Sequence, residues 1–393
     1  MAEGDLLEES RSEERARRAF QMTYGAPFFE GNAIAVLRNG DEIFPAMLEA
    51  IRSAEQSIKF LTFVYWTGDI AVAVADALAD RARAGVEVKV LLDAFGAHSM
   101  SRDLVRDMRA AGAEVRWYRP ISSWRLWALD NRTHRKVLVT DDRIGFTGGV
   151  GIAAEWEGNA RNAEEWRDTH FRLTGPVVDG LISSFLDNWT EGGQPISEEL
   201  QQTRLLPETG DASILVVRST AAIGWSDIAN LLQTLVALAE SRLRIATPYF
   251  TPDARTASLL IAAAKKGVDV EILIPGPHVD KRVSELASSE HFRPMMEAGI
   301  KIWQYQTSML HCKAIILDGR FACIGSANFN RRSMRKDDEV ALIVNHPQTL
   351  ATLERHFVED LAESALLDLA QWRRRGLGRR ALERISTIMR PHV

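Results

Sequence analysis

The chain is 393 residues long, with 46% apolar and 26% charged residues. That is the balance of a globular protein with a substantial core and two or three domains, and it excludes a disordered, collagenous or disulfide-stapled chain. The formal charge of −5 is unevenly spread: residues 371–393 hold seven arginines against Glu383, a net of +6, which leaves −11 on everything before them; an acidic body with one basic tail argues against coating nucleic acid and fits a single basic segment resting on an anionic surface.

Residues 1–32 read as a polar, charged helical lead-in, without the apolar stretch of a secretory signal. No run of about 18 apolar residues occurs, so no transmembrane helix is expected. From residue 33 onward the chain repeats itself. GVEVKVLLD (85–93) follows the helical stretch IAVAVADALADRARA, and GVDVEILIP (267–275) follows ARTASLLIAAAKK. AGAEVRWYRP (111–120) is echoed by AGIKIWQYQT (298–307). The offsets from Gly85 to Gly267 and from Gly112 to Gly299 are nearly equal, too long for a solenoid, and indicate two copies of one α/β domain. The strands are β-branched and nearly continuously apolar, as expected where helices cover both faces of a sheet. The polar, turn-rich segment near 190–212 sets the boundary between a first domain at 33–205 and a second at 206–370. Residues 371–393 form a basic tail in which Trp372, Leu377, Leu382 and Ile385 alternate with arginine clusters, the pattern of an interfacial amphipathic helix. Trp124 and Trp127 with Arg125, in the segment 121–132, read as a second candidate membrane contact. Cys312 and Cys323 are expected to be buried thiols in a reducing compartment.

The chemistry lies at matched positions. The first copy has His134, Lys136 and Asp141 followed by Gly148-Gly149; the second has His311, Lys313 and Asp318 followed by Gly325-Ser326 and Asn328. Residue frequencies give roughly 0.013 chance matches to His-x-Lys-x4-Asp, so two in register are not accidental. His and Lys two apart on a strand share a face. Each copy therefore offers one imidazole and one ammonium, and only two copies together make a complete site. All six of these His, Lys and Asp residues are candidate catalytic residues. Ser326 and Asn328 are candidate phosphate-binding donors. The set suits a phosphate diester, with one histidine attacking phosphorus and the other protonating the leaving oxygen. Such histidines need carboxylates to orient them. Asp168 and Glu339 are the candidates, because each begins an apolar strand after the glycine turn that follows its motif, at matched places downstream of His134 and His311. No metal or cofactor is expected.

These motifs resemble the phospholipase D superfamily. GFTGGVGIAAEW, WRDTHFRLTGPVV, TPYFTPD and GSANFNRRSM resemble bacterial cardiolipin synthases more specifically, from about residue 33 to the C-terminus. The resemblance implies two tandem α/β/α sandwich domains with one active site at their interface. It implies a metal-independent, two-step transfer of a phosphatidyl group to phosphatidylglycerol through a covalent phosphohistidine. His134 would be the nucleophile and His311 the general acid and later base. Lys136, Lys313 and Asn328 would hold the phosphoryl oxygens, and Asp168 and Glu339 would orient the histidines. The donor lipid, phosphatidylglycerol or phosphatidylethanolamine, stays open, and one chain suffices for catalysis. The expected site of action is the cytoplasmic face of the membrane, reached peripherally. Hydrolysis of phospholipid to phosphatidic acid is the alternative outcome of the same intermediate; a nuclease and a non-catalytic scaffold fit less well. Two departures stand out. Gly151 occupies the position where the family usually has the asparagine matching Asn328, and the paired N-terminal transmembrane helices of many such synthases have no counterpart here.

Overall fold

The computed structural model describes residues 3–120, 131–191, 205–220, 226–280 and 291–374. The chain runs α1 (Glu3–Tyr24), β1 (Phe29–Arg38), α2 (Asn39–Ser53), β2 (Ser57–Thr62), α3 (Asp69–Arg83), β3 (Glu87–Asp93), α4 (Arg102–Ala110), β4 (Glu114–Tyr118), β5 (Arg132–Thr133), β6 (Val137–Thr140), β7 (Ile144–Gly148), β8 (Thr169–Thr174) and α5 (Val178–Thr190). It continues through β9 (Ala212–Ser219), α6 (Asp227–Leu238), β10 (Arg242–Ala246), α7 (Ala254–Lys265), β11 (Asp269–Pro275), β12 (Lys301–Tyr305), β13 (Ala314–Leu317), β14 (Phe321–Gly325), α8 (Arg331–Arg335), β15 (Asp337–Asn345), α9 (Pro347–Ala362), β16 (Ser364–Leu366) and α10 (Leu369–Arg373).

The repeat seen in the sequence is a repeat in space. From the centre of the sheet outward, the first half orders its strands β1-β8-β7-β6-β2-β3-β4, and the second β9-β15-β14-β13-β10-β11-β12, with β16 beyond. Strands β2, β3 and β4 are parallel, as are β10, β11 and β12, while β6 and β13 run antiparallel to β2 and β10. The two half-sheets are not separate layers. β1 pairs antiparallel with β9, so one continuous sheet crosses both halves.

Apolar residues on both sides of the strands recruit helices to both faces. One core packs α2, α3 and α4 on the first half through Ile43, Met47, Val74, Leu78 and Met108. A second packs α6 and α7 on the other half through Leu231, Leu235 and Leu260. The opposite face is shared: Leu181 and Phe185 of α5 and Leu350 and Leu353 of α9 join strand residues of both halves in one cluster. The α/β/α layering expected from the resemblance is present twice.

Both ends of the described chain join the second half. Phe20 of α1 is fully buried and meets the Phe321 ring edge-on at 5.5 Å. Trp372 of α10, expected on the apolar face of an interfacial helix, instead packs on Phe292 at 5.5 Å and is 9% exposed. Burying an indole removes more apolar area from water than resting it at an interface, which accounts for the difference. Residues 375–393 of the tail, and Trp124, Arg125 and Trp127, lie outside the described residues. Cys312 and Cys323 are free, buried thiols. Among the described residues, no helix is long and apolar enough to cross a membrane.

Candidate active site

β6 and β13 start beside the C-terminal ends of the parallel strands, the end at which open α/β sheets present ligands. His134 and Lys136 lead into β6, and His311 and Lys313 lead into β13. Each histidine-bearing segment is hydrogen-bonded to the other half. β5 pairs parallel with the start of β15, and His134 N–H donates to the Asp338 carbonyl at 2.8 Å. Symmetrically, Leu310 bridges Arg167, and His311 N–H donates to the Arg167 carbonyl at 2.7 Å.

This cross-pairing decides which carboxylate meets which imidazole. Asp168, from the first half, lies 2.7 Å from Nδ1 of His311. Glu339, from the second half, lies 3.0 Å and 3.2 Å from Nδ1 of His134 through its two oxygens. Each carboxylate therefore serves the histidine of the other copy. With Nδ1–H directed to an acceptor, Nε2 of each ring is left with its lone pair. Both carboxylates are fully buried, and the histidines are 9% (His134) and 5% (His311) exposed.

Burial and the neighbouring ammonium groups control the charges. Desolvation pushes His134 down to about 4; Glu339 opposes this and Lys136 adds to it. Desolvation and Lys313 push His311 down to about 3. Burial raises Asp168 and Glu339, but the His311 and His134 partners and the lysines outweigh it and leave both below their ordinary values. At neutral pH each dyad is thus a neutral imidazole on a carboxylate. Lys136 falls to about 7 through burial and the charge of Lys313, and Lys313 to about 8 through burial. Lys136 feels the Lys313 charge, and Lys313 acts on His134, so the two half-sites form one electrostatic unit. Each lysine folds back onto its own motif: Lys136 Nζ donates to the His134 carbonyl at 2.9 Å and Lys313 Nζ to that of His311 at 2.6 Å.

The second half holds its carboxylate with Ser326. Its hydroxyl hydrogen-bonds Glu339, and its carbonyl lies 3.1 Å from His134 Nδ1. The hydroxyl of Ser326, expected to bind phosphate, thus rests on the dyad carboxylate in this structure. Asn328 is buried, and its side-chain oxygen has no partner among the described residues. In the first half, Gly149 occupies the place of Ser326. A Cβ there would lie 2.3 Å from Asp168 Oδ1. At Gly151 a Cβ would lie 2.6 Å from Cβ of Val64 and 3.1 Å from the Trp156 ring, so the missing asparagine reflects a lack of room.

Asp141 and Asp318 require a correction. They are not at the site. Asp141 lies five residue steps of extended chain beyond Lys136, about 17 Å. Asp141 accepts N–H bonds from Glu55, Gln56 and Ser57 at 2.9, 2.7 and 3.0 Å, and Asp318 those of Glu240, Ser241 and Arg242 at 2.9, 2.8 and 2.7 Å. Both sit at positive φ, a turn conformation that aspartate tolerates. Their work is to tie the hairpin to the start of β2 or β10. Asp141→Ala is expected to lower stability by about 1–3 kcal/mol while kcat changes less than about threefold. Thermal unfolding and steady-state rates on the same preparation check this; a hundredfold loss of kcat in a folded variant would return Asp141 to the chemistry.

Several site residues were not anticipated. Trp156 and Trp166 stand 5.1 Å and 5.3 Å from the His311 ring, and Phe63 stands 5.2 Å from His134. Arg135 and Arg167, each next to a dyad member, are fully buried. Arg135 donates to the carbonyls of Ser184 and Ser219 at 2.6 and 2.9 Å, and Arg167 pairs with Asp360 of the second half at 2.9 Å. Their placement beside the motif histidine and beside Asp168 was the only available signal.

Twin α/β halves that exchange carboxylates across a shared pair of imidazoles and ammonium groups define a phosphodiester-handling site of the phospholipase D type. The family model described as cardiolipin synthase, PLD-like domain, matches residues 47–164 and 232–361, and the chain belongs to that family. It is 31% identical over 376 residues to cardiolipin synthase 1 of Bacillus cereus, covering 93% of this chain and 74% of that protein. It is 32% identical over 363 residues to the cardiolipin synthase of Geobacillus kaustophilus, covering 91% and 72%. In fold it is similar to the phosphatidylserine synthase of Haemophilus influenzae, with a TM-score of 0.74, 17% identity and coverage of 96% of this chain and 100% of that one.

Proposed function

We propose that the protein is a phosphatidyltransferase that makes cardiolipin, moving the phosphatidyl group of one phospholipid to a hydroxyl of phosphatidylglycerol through a phosphohistidine. The observation that supports this reading is the pair of crossed dyads beside Lys136 and Lys313. Nε2 of neutral His134 attacks phosphorus. His311, neutral in the free protein, takes up a proton as the anionic diester binds beside it; the P–O bond to the headgroup breaks, and the leaving oxygen takes that proton. The two ammonium groups and Asn328 stabilise the charge on the phosphoryl oxygens. Glu339 balances the charge that the His134 ring acquires. In the second step a phosphatidylglycerol hydroxyl gives its proton to His311 and attacks phosphorus, and the P–N bond to His134 breaks.

The domains of this reading are 33–205 and 206–370, with the lead-in 1–32 and tail 371–393 flanking them. The enzyme acts peripherally at the cytoplasmic face of the membrane, and one chain carries the whole site. Purified protein incubated with phosphatidylglycerol liposomes, with and without phosphatidylethanolamine, is expected to yield cardiolipin by mass spectrometry, and the released headgroup identifies the donor. Phosphatidic acid alone would mean that water wins at the intermediate, and the transferase reading would fall.

Charge on the lysines should govern the pH profile. Below about 7 Lys136 is cationic, and above it the ammonium is lost, followed by that of Lys313 above about 8. Affinity for an anionic phosphodiester follows those charges, so kcat/KM is expected to fall on the alkaline side. A profile that stays flat to about pH 9 would remove the lysines from substrate binding.

A further inference from the structure

The two carboxylates occupy equivalent places but are held by different groups. Glu339 is held by the Ser326 hydroxyl, which in turn accepts the N–H of Val340. Asp168 has no serine, because Gly149 stands there and any side chain would collide with Oδ1. Its Oδ1 accepts the N–H of Thr169 at 2.7 Å. Its Oδ2, the oxygen that meets His311 at 2.7 Å, also accepts the indole N–H of Trp156 at 2.9 Å. Trp156 is 2% exposed and meets the His311 ring edge-on, at 5.1 Å with an interplanar angle of 82°. Gly151 leaves room for this indole, since a Cβ there would press on its ring at 3.1 Å.

We propose that Trp156 is a positioning residue for His311, fixing Asp168 through the indole N–H in the role that Ser326 fills for Glu339. Gly149, Gly151 and Trp156 are then one coordinated arrangement. Gly149 lets Asp168 approach, Trp156 holds it from the other side, and Gly151 makes space for the ring. The chemical effect is specific. A donor on a carboxylate oxygen draws density from it and weakens its hold on an imidazolium proton. With the indole N–H in place, His311 releases its proton to the leaving oxygen more readily. In Trp156→Phe, Asp168 keeps one donor fewer in a buried setting and grips the imidazolium harder.

The proposal rests on the two-histidine reading, and the test separates the two. Histidine labelled with ¹⁵N reports the titration of His311 in the free protein, without turnover. Trp156→Phe is expected to raise the His311 midpoint by about one pH unit and to lower kcat about tenfold with KM changed less than twofold. Trp66→Phe, a packing neighbour 6.1 Å from Trp156 whose N–H goes to the Gly96 carbonyl, should leave the midpoint where it is. If Trp156→Phe does not fold, benzothienylalanine at 156 exchanges N–H for sulfur at nearly constant shape and is expected to give the same shift. An unmoved His311 midpoint in a folded variant overturns the positioning role, whatever the rate does. A shifted midpoint in a protein that never makes cardiolipin would uphold the positioning role and overturn the assigned reaction.

Discussion

Alanine in place of either His134 or His311 is expected to reduce phosphatidyl transfer by at least about 10⁴-fold, because nucleophile and proton carrier act as a unit. The two variants should fail differently. A p-nitrophenyl phosphodiester has a leaving group that needs no proton. With it, His311→Ala is expected to release one equivalent of nitrophenol and then stall, since His311 is also the base that activates the acceptor. His134→Ala should give no burst. A burst in His134→Ala and none in His311→Ala would exchange the two roles. Retention of transfer within tenfold of wild type by either variant would remove the two-histidine mechanism altogether.

The second large effect tests the crossing. Glu339→Gln and Asp168→Asn are each expected to cost about 10²–10⁴ in rate, since each imidazole loses the group that fixes its tautomer. Glu339 lies against His134 and Asp168 against His311. Glu339→Gln should therefore slow the burst with the p-nitrophenyl ester, whereas Asp168→Asn should leave the burst rate within about threefold and slow the second step. Loss of the burst in Asp168→Asn alone would mean that each carboxylate serves its own copy. Transient kinetics on the two variants, with folding checked by near-ultraviolet dichroism, make the comparison.

Much of this site was legible in the chain. The paired His-x-Lys spacing and the echoed strands pointed to two halves and one shared centre, and matched placement after a glycine turn singled out Asp168 and Glu339. The partner of each was not legible. It depends on Leu310 bridging Arg167 and on β5 joining β15, contacts between residues far apart in sequence. Asp141 and Asp318 misled because a recurring turn keeps its spacing within the chain as faithfully as a reactive centre does. Only their bonds to backbone N–H groups separate the two cases. Trp156 gave no pattern to find, because its role follows from Gly149 and Gly151, whose meaning is steric. The fusion of the half-sheets through β1 and β9 was equally hidden, since a strand pairing carries no local mark in either strand.

The exchange of carboxylates also bears on how such a site can change over generations. A lone half would have to associate with a second copy of itself to surround an imidazole with the right acid. In such a twofold assembly every substitution strikes both histidines at once, and an alteration good for the attacking ring would be imposed on the proton-bearing one. Within a single polypeptide the duplicated positions are inherited independently. Ser326 on one side and Gly149 on the other are a difference that an assembly of two identical halves could not hold.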